Sequence, residues 1–200
     1  MPIIIVIMAM TLLTGLGTVL VLGTMTESAI AASYRDAADT FYAAEAAVEF
    51  VTRDLAAASD WDAVVAGDAM SVFVDGPADG TREVGAVTLD LTEATRDVNT
   101  VAAAGPGGSI PTYGLYAYGP FADLLPPAAP PSRIYVVVWV ADLSGEGEGG
   151  APASPVVGLV ARAYGPTGAR RSVAVSVART GTGDAEIPAA VQVLSWNELR

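Results

Sequence analysis

The sequence predicts an α+β protein in which one long N-terminal α-helix packs on a C-terminal antiparallel β-sheet. An uncharged apolar run opens the chain, and a helical apolar pattern follows it with no proline between Pro2 and Pro77. Segments rich in β-branched residues and bounded by glycine or proline then occupy the last third of the 200 residues. This length suits a single domain attached to an apolar segment.

These patterns divide the chain into four consecutive regions. They are 1–25, the transmembrane half of the helix; 26–57, its amphipathic half; 58–131, a loop region with short strands; and 132–200, the antiparallel sheet.

The apolar run extends from Ile3 to Met25, 23 residues without a charge. At 1.5 Å per residue, a helix of this length measures roughly 35 Å, which is enough to cross the core of a bilayer. The run therefore predicts a transmembrane segment. Nothing basic precedes it, and Glu27, Arg35 and Asp36 follow it, so flanking charge does not define the orientation.

Two other interpretations of the apolar run are weaker. A cleavable secretory signal would find a small-residue site at Ala29-Ile30-Ala31, but the run is too long, lacks a basic start and has Glu27 beside the site. A buried core helix is the second, but a segment that is apolar on all sides at a chain terminus suits a small soluble domain poorly.

The amphipathic half continues the same helix. Apolar residues recur at alternating spacings of four and three: Ile30, Tyr34, Ala37, Phe41, Ala44, Val48, Val51 and Leu55. Such a stripe predicts one buried face, and the spacing of Glu49 and Arg53 allows them to pair on the exposed face. We expect one continuous helix from about Ile3 to about Ala57, roughly 80 Å long.

Three glycines, Gly15, Gly17 and Gly23, interrupt the apolar half. Each lowers helix propensity by about 1 kcal/mol relative to alanine in water. Either they allow neighbouring helices to approach closely in a membrane, or they mark a place where the helix bends or melts. Both interpretations imply helical neighbours.

The composition excludes most kinds of chemistry. The net charge is −12, all ten basic residues are arginines scattered among 22 acidic ones, and no cationic surface for nucleic acid is predicted. Without histidine, cysteine or lysine, the usual catalytic triads, Schiff bases and thiolate or imidazole metal sites cannot form. A secreted carboxylate hydrolase remains, but the spacing nominates no acid pair. We predict no enzyme and no cofactor.

The loop region contains two short predicted strands, Ser71–Val74 and Val84–Leu91. Residues 105–131 are rich in glycine and proline, which argues against any long regular element there. We expect their aromatic residues to lie over a sheet edge in preference to forming a contact surface. These residues are Tyr113, Tyr116, Tyr118 and Phe121.

The clearest strands come last and predict an antiparallel meander. Their ranges are Ile134–Ala141, Val156–Tyr164, Arg171–Ala178 and, more weakly, Val191–Trp196. In the third, valines at 173, 175 and 177 alternate with small or polar residues, as in a half-buried strand. One face of this sheet can cover the amphipathic half of the helix.

The loop between the first two of these strands is acidic and rich in glycine. Its carboxylates Asp142, Glu146 and Glu148 could hold calcium, although the EF-hand pattern is absent. A solvated hairpin loop is the more ordinary interpretation. We therefore predict no metal site and keep calcium as the alternative.

Three stretches of the helix resemble the N-terminal region of a known family. They are Thr26-Glu27, Ala31-Ala32-Ser33-Tyr34-Arg35-Asp36 and Phe41-Tyr42-Ala43-Ala44-Glu45-Ala46-Ala47. In order and spacing they are similar to type IV pilin-like proteins, particularly PilX-type minor pilins, over about the first 55 residues. The end of the chain, 193–200, resembles the endings of these proteins more weakly.

This resemblance implies a bacterial envelope protein held in the inner membrane by a single helix, with its C-terminal domain in the periplasm. It further implies extraction into a hetero-oligomeric type IV pilus or type II secretion pseudopilus, where helices of other pilins or pseudopilins bundle with it. The residues implicated in that bundling are Gly15, Gly17, Gly23, Glu27, Arg35, Asp36 and Glu45. Family precursors also carry a short basic leader ending in glycine, which we expect was removed or is encoded upstream of Met1.

Major pilins carry a glutamate at the fifth mature position that pairs with the N-terminal amine of the next subunit. The corresponding region here is Ile3-Ile4-Ile5-Val6-Ile7, with no carboxylate. The resemblance therefore favours a minor subunit that sits at the tip or initiates assembly. The competing hypothesis is a permanently anchored single-pass envelope protein whose β-rich domain binds a ligand or partner.

Overall fold

In the computed structural model, residues 2–104, 110–144, 156–180 and 190–199 are described. The helices are α1 (Pro2–Ala57), α2 (Trp61–Ala66) and α3 (Leu91–Ala103), with a 3₁₀ turn at Phe121–Leu124. The strands are β1 (Thr81–Val84), β2 (Val87–Asp90), β3 (Gly114–Pro120), β4 (Tyr135–Asp142), β5 (Val156–Tyr164), β6 (Arg170–Thr180) and β7 (Ala190–Leu199).

The single long helix is confirmed, since α1 runs without interruption over 56 residues. Its buried residues all lie in the second half, and they are Thr40, Ala43, Ala44, Ala47, Val48, Val51 and Leu55. The predicted apolar stripe is therefore buried from Ala44 onward. Its first members are not buried, because Ile30 and Tyr34 precede the point where the sheet reaches the helix, and Tyr34 is 77% exposed.

The predicted antiparallel meander is also confirmed, with one strand more than expected. Strands β3 to β7 form a five-stranded sheet in chain order, and each strand pairs antiparallel with its neighbours. The bounds of β5 are those predicted, whereas the ends of β4, β6 and β7 differ from the prediction by one to three residues. Backbone pairing of β-branched segments thus follows the sequence pattern closely.

Both faces of the sheet are covered. On one face, the alternate residues Val136, Val138 and Val140 of β4 pack with the second half of α1. On the opposite face, Val137 and Trp139 pack with α3 and the β1–β2 hairpin. The central strands are therefore apolar on both sides, which explains why β4 reads as a nearly continuous hydrophobic run.

The strand predicted at Val84–Leu91 is correct only for Val87–Asp90, which is β2. The chain instead forms the hairpin β1–β2, which turns at Gly85 and Ala86, and Leu91 begins α3. Gly85 has a φ of +62°, and a Cβ there would lie 2.4 Å from the carbonyl oxygen of Pro166. Backbone approach between these two turns therefore requires glycine at this position.

Helix α3 was not predicted from the sequence because most of its residues are polar. Only one narrow stripe of the helix is apolar, and this stripe is buried. Asp90 caps it by accepting a hydrogen bond of 2.9 Å from the backbone amide of Glu93. This is the common N-cap arrangement of an acidic side chain. Leu91, Ala94 and Val98 face the sheet.

Two further expectations in the loop region are wrong. Ser71–Val74 contributes only one isolated bridge, from Val74 to Tyr118, and is not a strand. The described part of 105–131 contains the short strand β3, and the aromatic residues Tyr116 and Tyr118 belong to this strand and are buried within the fold. They do not lie over a sheet edge, because β3 itself is that edge.

Tyr116 also fastens the C-terminal end of α1. Its hydroxyl donates a hydrogen bond of 2.9 Å to the carboxylate of Asp54. Burial, and to a lesser extent the Asp54 carboxylate, raise the pKa of Tyr116, so the phenol remains a donor at all physiological pH values. The helix end and the edge strand are therefore joined by a polar contact beside the apolar core.

Candidate assembly surface

The first half of α1 is an apolar surface with no cover inside the subunit. It supplies the one helix in the described part of the chain that is long and apolar enough to span a membrane. Residues such as Ile3, Leu13 and Leu20 are each more than half exposed. In water, so much contiguous apolar surface would cause association, so lipid or other helices must cover it.

Gly15, Gly17 and Gly23 lie on this uncovered half. A Cβ built at any of them meets no described atom within 4 Å, apart from the helix's own neighbouring backbone. No contact within the subunit therefore requires a glycine at these positions. Close helix packing and local bending both stay open as their purpose.

Glu27 and Arg35 are exposed on α1 between the apolar half and the sheet. Neither makes a side-chain hydrogen bond or salt bridge to another described residue of the subunit. Both charges are therefore available to contacts outside the subunit. Their predicted role in helix bundling stays a prediction.

Asp36, by contrast, makes a contact inside the subunit. Its carboxylate accepts a hydrogen bond from the hydroxyl of Thr167, which lies in the turn between β5 and β6. A Cβ on the neighbouring Gly165 would lie 2.7 Å from the hydroxyl oxygen of Thr40, so α1 and the turn approach closely. Asp36 thus fixes the point where the helix first meets the sheet, about 27 Å along the axis from Asp54.

Replacing Asp36 with alanine is expected to lower the free energy of unfolding of the domain by about 1 kcal/mol, because Thr167 loses its acceptor. Amide hydrogen exchange should also accelerate in residues 36–40 and 165–169. Asp39→Ala is the matched control, because Asp39 is exposed on the same helix. Equal effects of the two substitutions would show that the Asp36 contact contributes nothing specific.

Glu45 lines a groove between α1 and the last strand, which we call the α1–β7 groove. Its lining residues are Tyr42, Glu45, Ala46, Val48, Glu49, Thr52, Arg53, Val193 and Trp196, and its volume is about 680 Å³. The predicted pair Glu49 and Arg53 forms a salt bridge along its helical side. Its floor is apolar and its rim is charged, as in many protein contact sites.

Strand β7 gives this groove its second wall. It pairs only with β6 in the described part of the chain, and Val193, Leu194 and Trp196 are each exposed by more than 40%. A long edge strand with exposed apolar side chains is a site where another chain can pair or pack. Sequence reasoning did not single out Trp196 for contact. The signal available in the sequence was the pair of adjacent apolar residues Val193 and Leu194, which breaks the alternation of a half-buried strand. The pairing register with β6 shifts at this point.

The predicted calcium alternative is only partly within the described residues. Asp142 is the last residue of β4, and its carboxylate accepts a hydrogen bond of 2.7 Å from the backbone amide of Ser144. Glu146 and Glu148 lie outside the described residues. Within the described ranges, no three acidic residues come together in a way that could hold a metal ion.

The geometry of the described residues indicates a class of protein. An uncovered apolar half-helix leads without a break into a half that packs on an antiparallel sheet, which is the architecture of a membrane-anchored, pilin-like subunit. Residues 3–49 match the family model described as PilX N-terminal. This match over the N-terminal helix supports a PilX-type type IV pilin-like protein, related at family level to the minor pilins of type IV pili.

The match covers the apolar half of α1 and most of the packed half, and it ends before the sheet. No curated protein and no solved structure matches the chain. The family is structural, and its pattern together with the apolar helix indicates a membrane-anchored pilus component.

Proposed function

We propose that this protein is a structural, non-enzymatic minor subunit that takes part in assembling a type IV pilus or a type II secretion pseudopilus. Before assembly it is held in the bacterial inner membrane by the first half of α1, with the sheet domain in the periplasm. The observation that carries this proposal is the length of uncovered surface on α1. A membrane anchor needs only about 20 residues, but apolar exposure continues past the charged Glu27 to Ile30, Tyr34 and Tyr42.

A filament provides two kinds of neighbour for this surface. Other pilin helices would cover residues 3–25, where Gly15, Gly17 and Gly23 allow close approach. The domain of an adjacent subunit would cover the α1–β7 groove, with Trp196 as its largest exposed side chain. Aromatic residues of this kind commonly dominate the energy of protein contacts.

A tip or initiating position is the finer part of the proposal. It is supported by the absence of a carboxylate among the first apolar residues, where resemblance to major pilins would place a docking glutamate. A subunit without that charge has one docking contact fewer within a filament shaft, and a tip position tolerates this best.

Site-specific photo-cross-linking tests the assembly role. A photoreactive amino acid at Tyr42 or Trp196, in cells that build the filament, should give covalent products with other pilins. The products should disappear in a strain without prepilin peptidase. Thr92, exposed on α3 across the sheet, is the control position and should give few such products.

Immunogold labelling then separates the positions within the filament. Particles confined to one filament end would support the tip role, and particles along the shaft would contradict it. Absence of both cross-links and filament labelling, with the protein retained in the membrane, would overturn the proposal in favour of a permanently anchored envelope protein.

A further inference from the structure

Three of the ten arginines of this acidic protein surround one pocket on the α3 side of the sheet. We call it the arginine pocket. It has a volume of about 440 Å³, and Arg162, Arg170, Arg171, Ser172 and Asp97 are among the residues that line it. The pocket lies between α3 and strands β5 to β7. The sheet separates it from α1 and from the α1–β7 groove.

Arg162 is the charged side chain most deeply placed in the described part of the chain, at 9% exposure. Its Nε donates a hydrogen bond of 3.0 Å to Oγ of Ser172, and its guanidinium lies 5.7 Å from the ring centroid of Trp139. The aromatic ring compensates part of the cost of burying the charge. No other side-chain hydrogen bond of this guanidinium falls within the described residues, so its terminal nitrogens keep free donors.

Arg162 also lacks an acidic partner. Within the described ranges, the salt bridges join Glu49 to Arg53, Asp75 to Arg82, and Glu198 to Arg171. No described carboxylate oxygen therefore lies within 4.0 Å of Arg162 or Arg170. A buried cation is normally paired, because removing it from water is costly.

A buried tyrosine, Tyr164, lies beside Arg170 in a neighbouring pocket and is not among the residues that line the arginine pocket. The hydroxyl of Tyr164 is buried and has no hydrogen-bond partner among the described residues. Burial raises the pKa of Tyr164, whereas the charge of Arg162, the side-chain interaction of its guanidinium with the hydroxyl and the charge of Arg170 lower it. The tyrosine therefore stays protonated, and it adds no negative charge beside Arg162 and Arg170.

The balance of charge in the pocket limits what it can bind. Arg171 is neutralised by Glu198 at 3.8 Å, which leaves Arg162 and Arg170 against the single carboxylate of Asp97. The remaining excess is about one positive charge, which suits a monoanion better than a dianionic phosphate. A planar carboxylate can also accept two parallel hydrogen bonds from one guanidinium.

Apolar side chains complete the lining. Val101 of α3 and Leu199 of β7 lie at the pocket and are both partly exposed. They can contact a short hydrocarbon chain attached to the bound carboxylate. We propose that the arginine pocket binds an aliphatic carboxylate, either a small free acid or a glutamate-like side chain of another protein. The inference does not depend on filament assembly.

Titration of the full chain in micelles of an uncharged detergent tests the proposal, with butyrate as the probe at constant ionic strength. Butyrate should raise the melting temperature in a saturable manner, and the neutral analogue butyramide should not. Arg162→Gln should abolish the shift, and Arg170→Gln should weaken binding about tenfold, since each removes a charge-assisted hydrogen bond. Asp97→Asn should strengthen binding several-fold by removing a repelling charge.

Arg96→Gln is the matched control, because Arg96 is exposed on α3 next to Asp97 and does not line the pocket. It should bind butyrate like the unmodified chain. If Arg162→Gln does not fold, Arg170→Gln and Asp97→Asn decide the matter, since both residues are exposed. Unchanged affinity in both, or equal shifts with butyrate and butyramide, would overturn the proposal.

A second probe distinguishes the two sources of the carboxylate. N-acetyl-glutamate amide presents the same group as butyrate, but carries it on a blocked peptide unit. Tighter binding of this probe than of butyrate would support a protein side chain as the natural ligand, and tighter binding of butyrate would support a free acid. Binding of neither would count against the site altogether.

Discussion

Replacing Val51 with aspartate is expected to lower the free energy of unfolding of the sheet domain by about 3–5 kcal/mol. Val51 is completely buried where the second half of α1 packs on the sheet. A carboxylate at this position would have no cation to pair with in the surrounding apolar cluster. Because domains are stable by only about 5–15 kcal/mol, most of the folded population should be lost under mild denaturing conditions. Urea unfolding of the full chain in uncharged micelles, followed by tryptophan fluorescence, measures the effect.

Ala38→Asp provides the control for this experiment. Ala38 lies on the same helix but is exposed, so the substitution introduces the same charge without burying it. Its effect should stay within about 0.5 kcal/mol, as for most surface substitutions. Equal loss of stability in both variants would mean that the buried face of α1 has been misassigned.

Replacing Trp139 with alanine is the second substitution with a large expected effect, about 3–5 kcal/mol of destabilisation. Trp139 is the largest fully buried side chain and lies between the sheet and α3. Its indole N–H donates to the hydroxyl of Thr95 at 2.8 Å, and Arg162 lies over its ring. Alanine would leave a cavity, would remove the hydrogen bond that the Thr95 hydroxyl accepts, and would leave a buried cation without its aromatic neighbour.

Trp196→Ala is the matched control for Trp139→Ala. Trp196 is 44% exposed at the edge strand, so its loss should cost less than about 1 kcal/mol in the isolated subunit. Urea unfolding followed by far-ultraviolet circular dichroism suits this pair, because it does not rely on the tryptophan removed. A Trp139 variant no less stable than the Trp196 variant would contradict the packing of α3 on the sheet.

The sequence predicted those elements whose pattern is set by local burial. The apolar stripe of α1 is periodic, and the valines of β4 to β6 are dense, so the helix and the last strands were found nearly to the residue. The pattern failed where tertiary contacts decide the structure. Glycine and proline around Gly114–Pro120 suggested an irregular loop, but pairing with β4 stabilises β3 there. Pairing between distant segments leaves little trace in local sequence.

The hairpin and α3 were missed for a related reason. The segment Val84–Leu91 has strand-like residues on both sides of Gly85, and the turn there is decided by close backbone approach to Pro166. Helix α3 has only a narrow apolar stripe, which the second face of the sheet buries. A local sequence pattern shows only one side of a tertiary contact. It therefore does not predict which distant segment forms the other side.

The candidate surface was predicted only in its helical part. The resemblance singled out Asp36 and Glu45, and the structure places Asp36 at a contact inside the subunit and Glu45 at the α1–β7 groove. The second wall of that groove depends on which strand lies at the sheet edge, which no local pattern reveals. The position of Arg162 beneath α3 likewise depends on a helix that was not predicted.

The way α1 lies on the sheet has a mechanical consequence. Its buried residues over positions 40–55 are distributed along the helix axis, with polar contacts at Asp36 just before them and at Asp54 near their end. A force applied along the helix therefore acts in shear on the contacts between α1 and the sheet. Because the force is distributed over all of these contacts, they must break together. Several of the buried residues of α1 are alanines. Each alanine makes little contact by itself, but its small side chain allows the helix to lie close to the sheet. Resistance to pulling should accordingly depend on the length of the overlap more than on any one side chain.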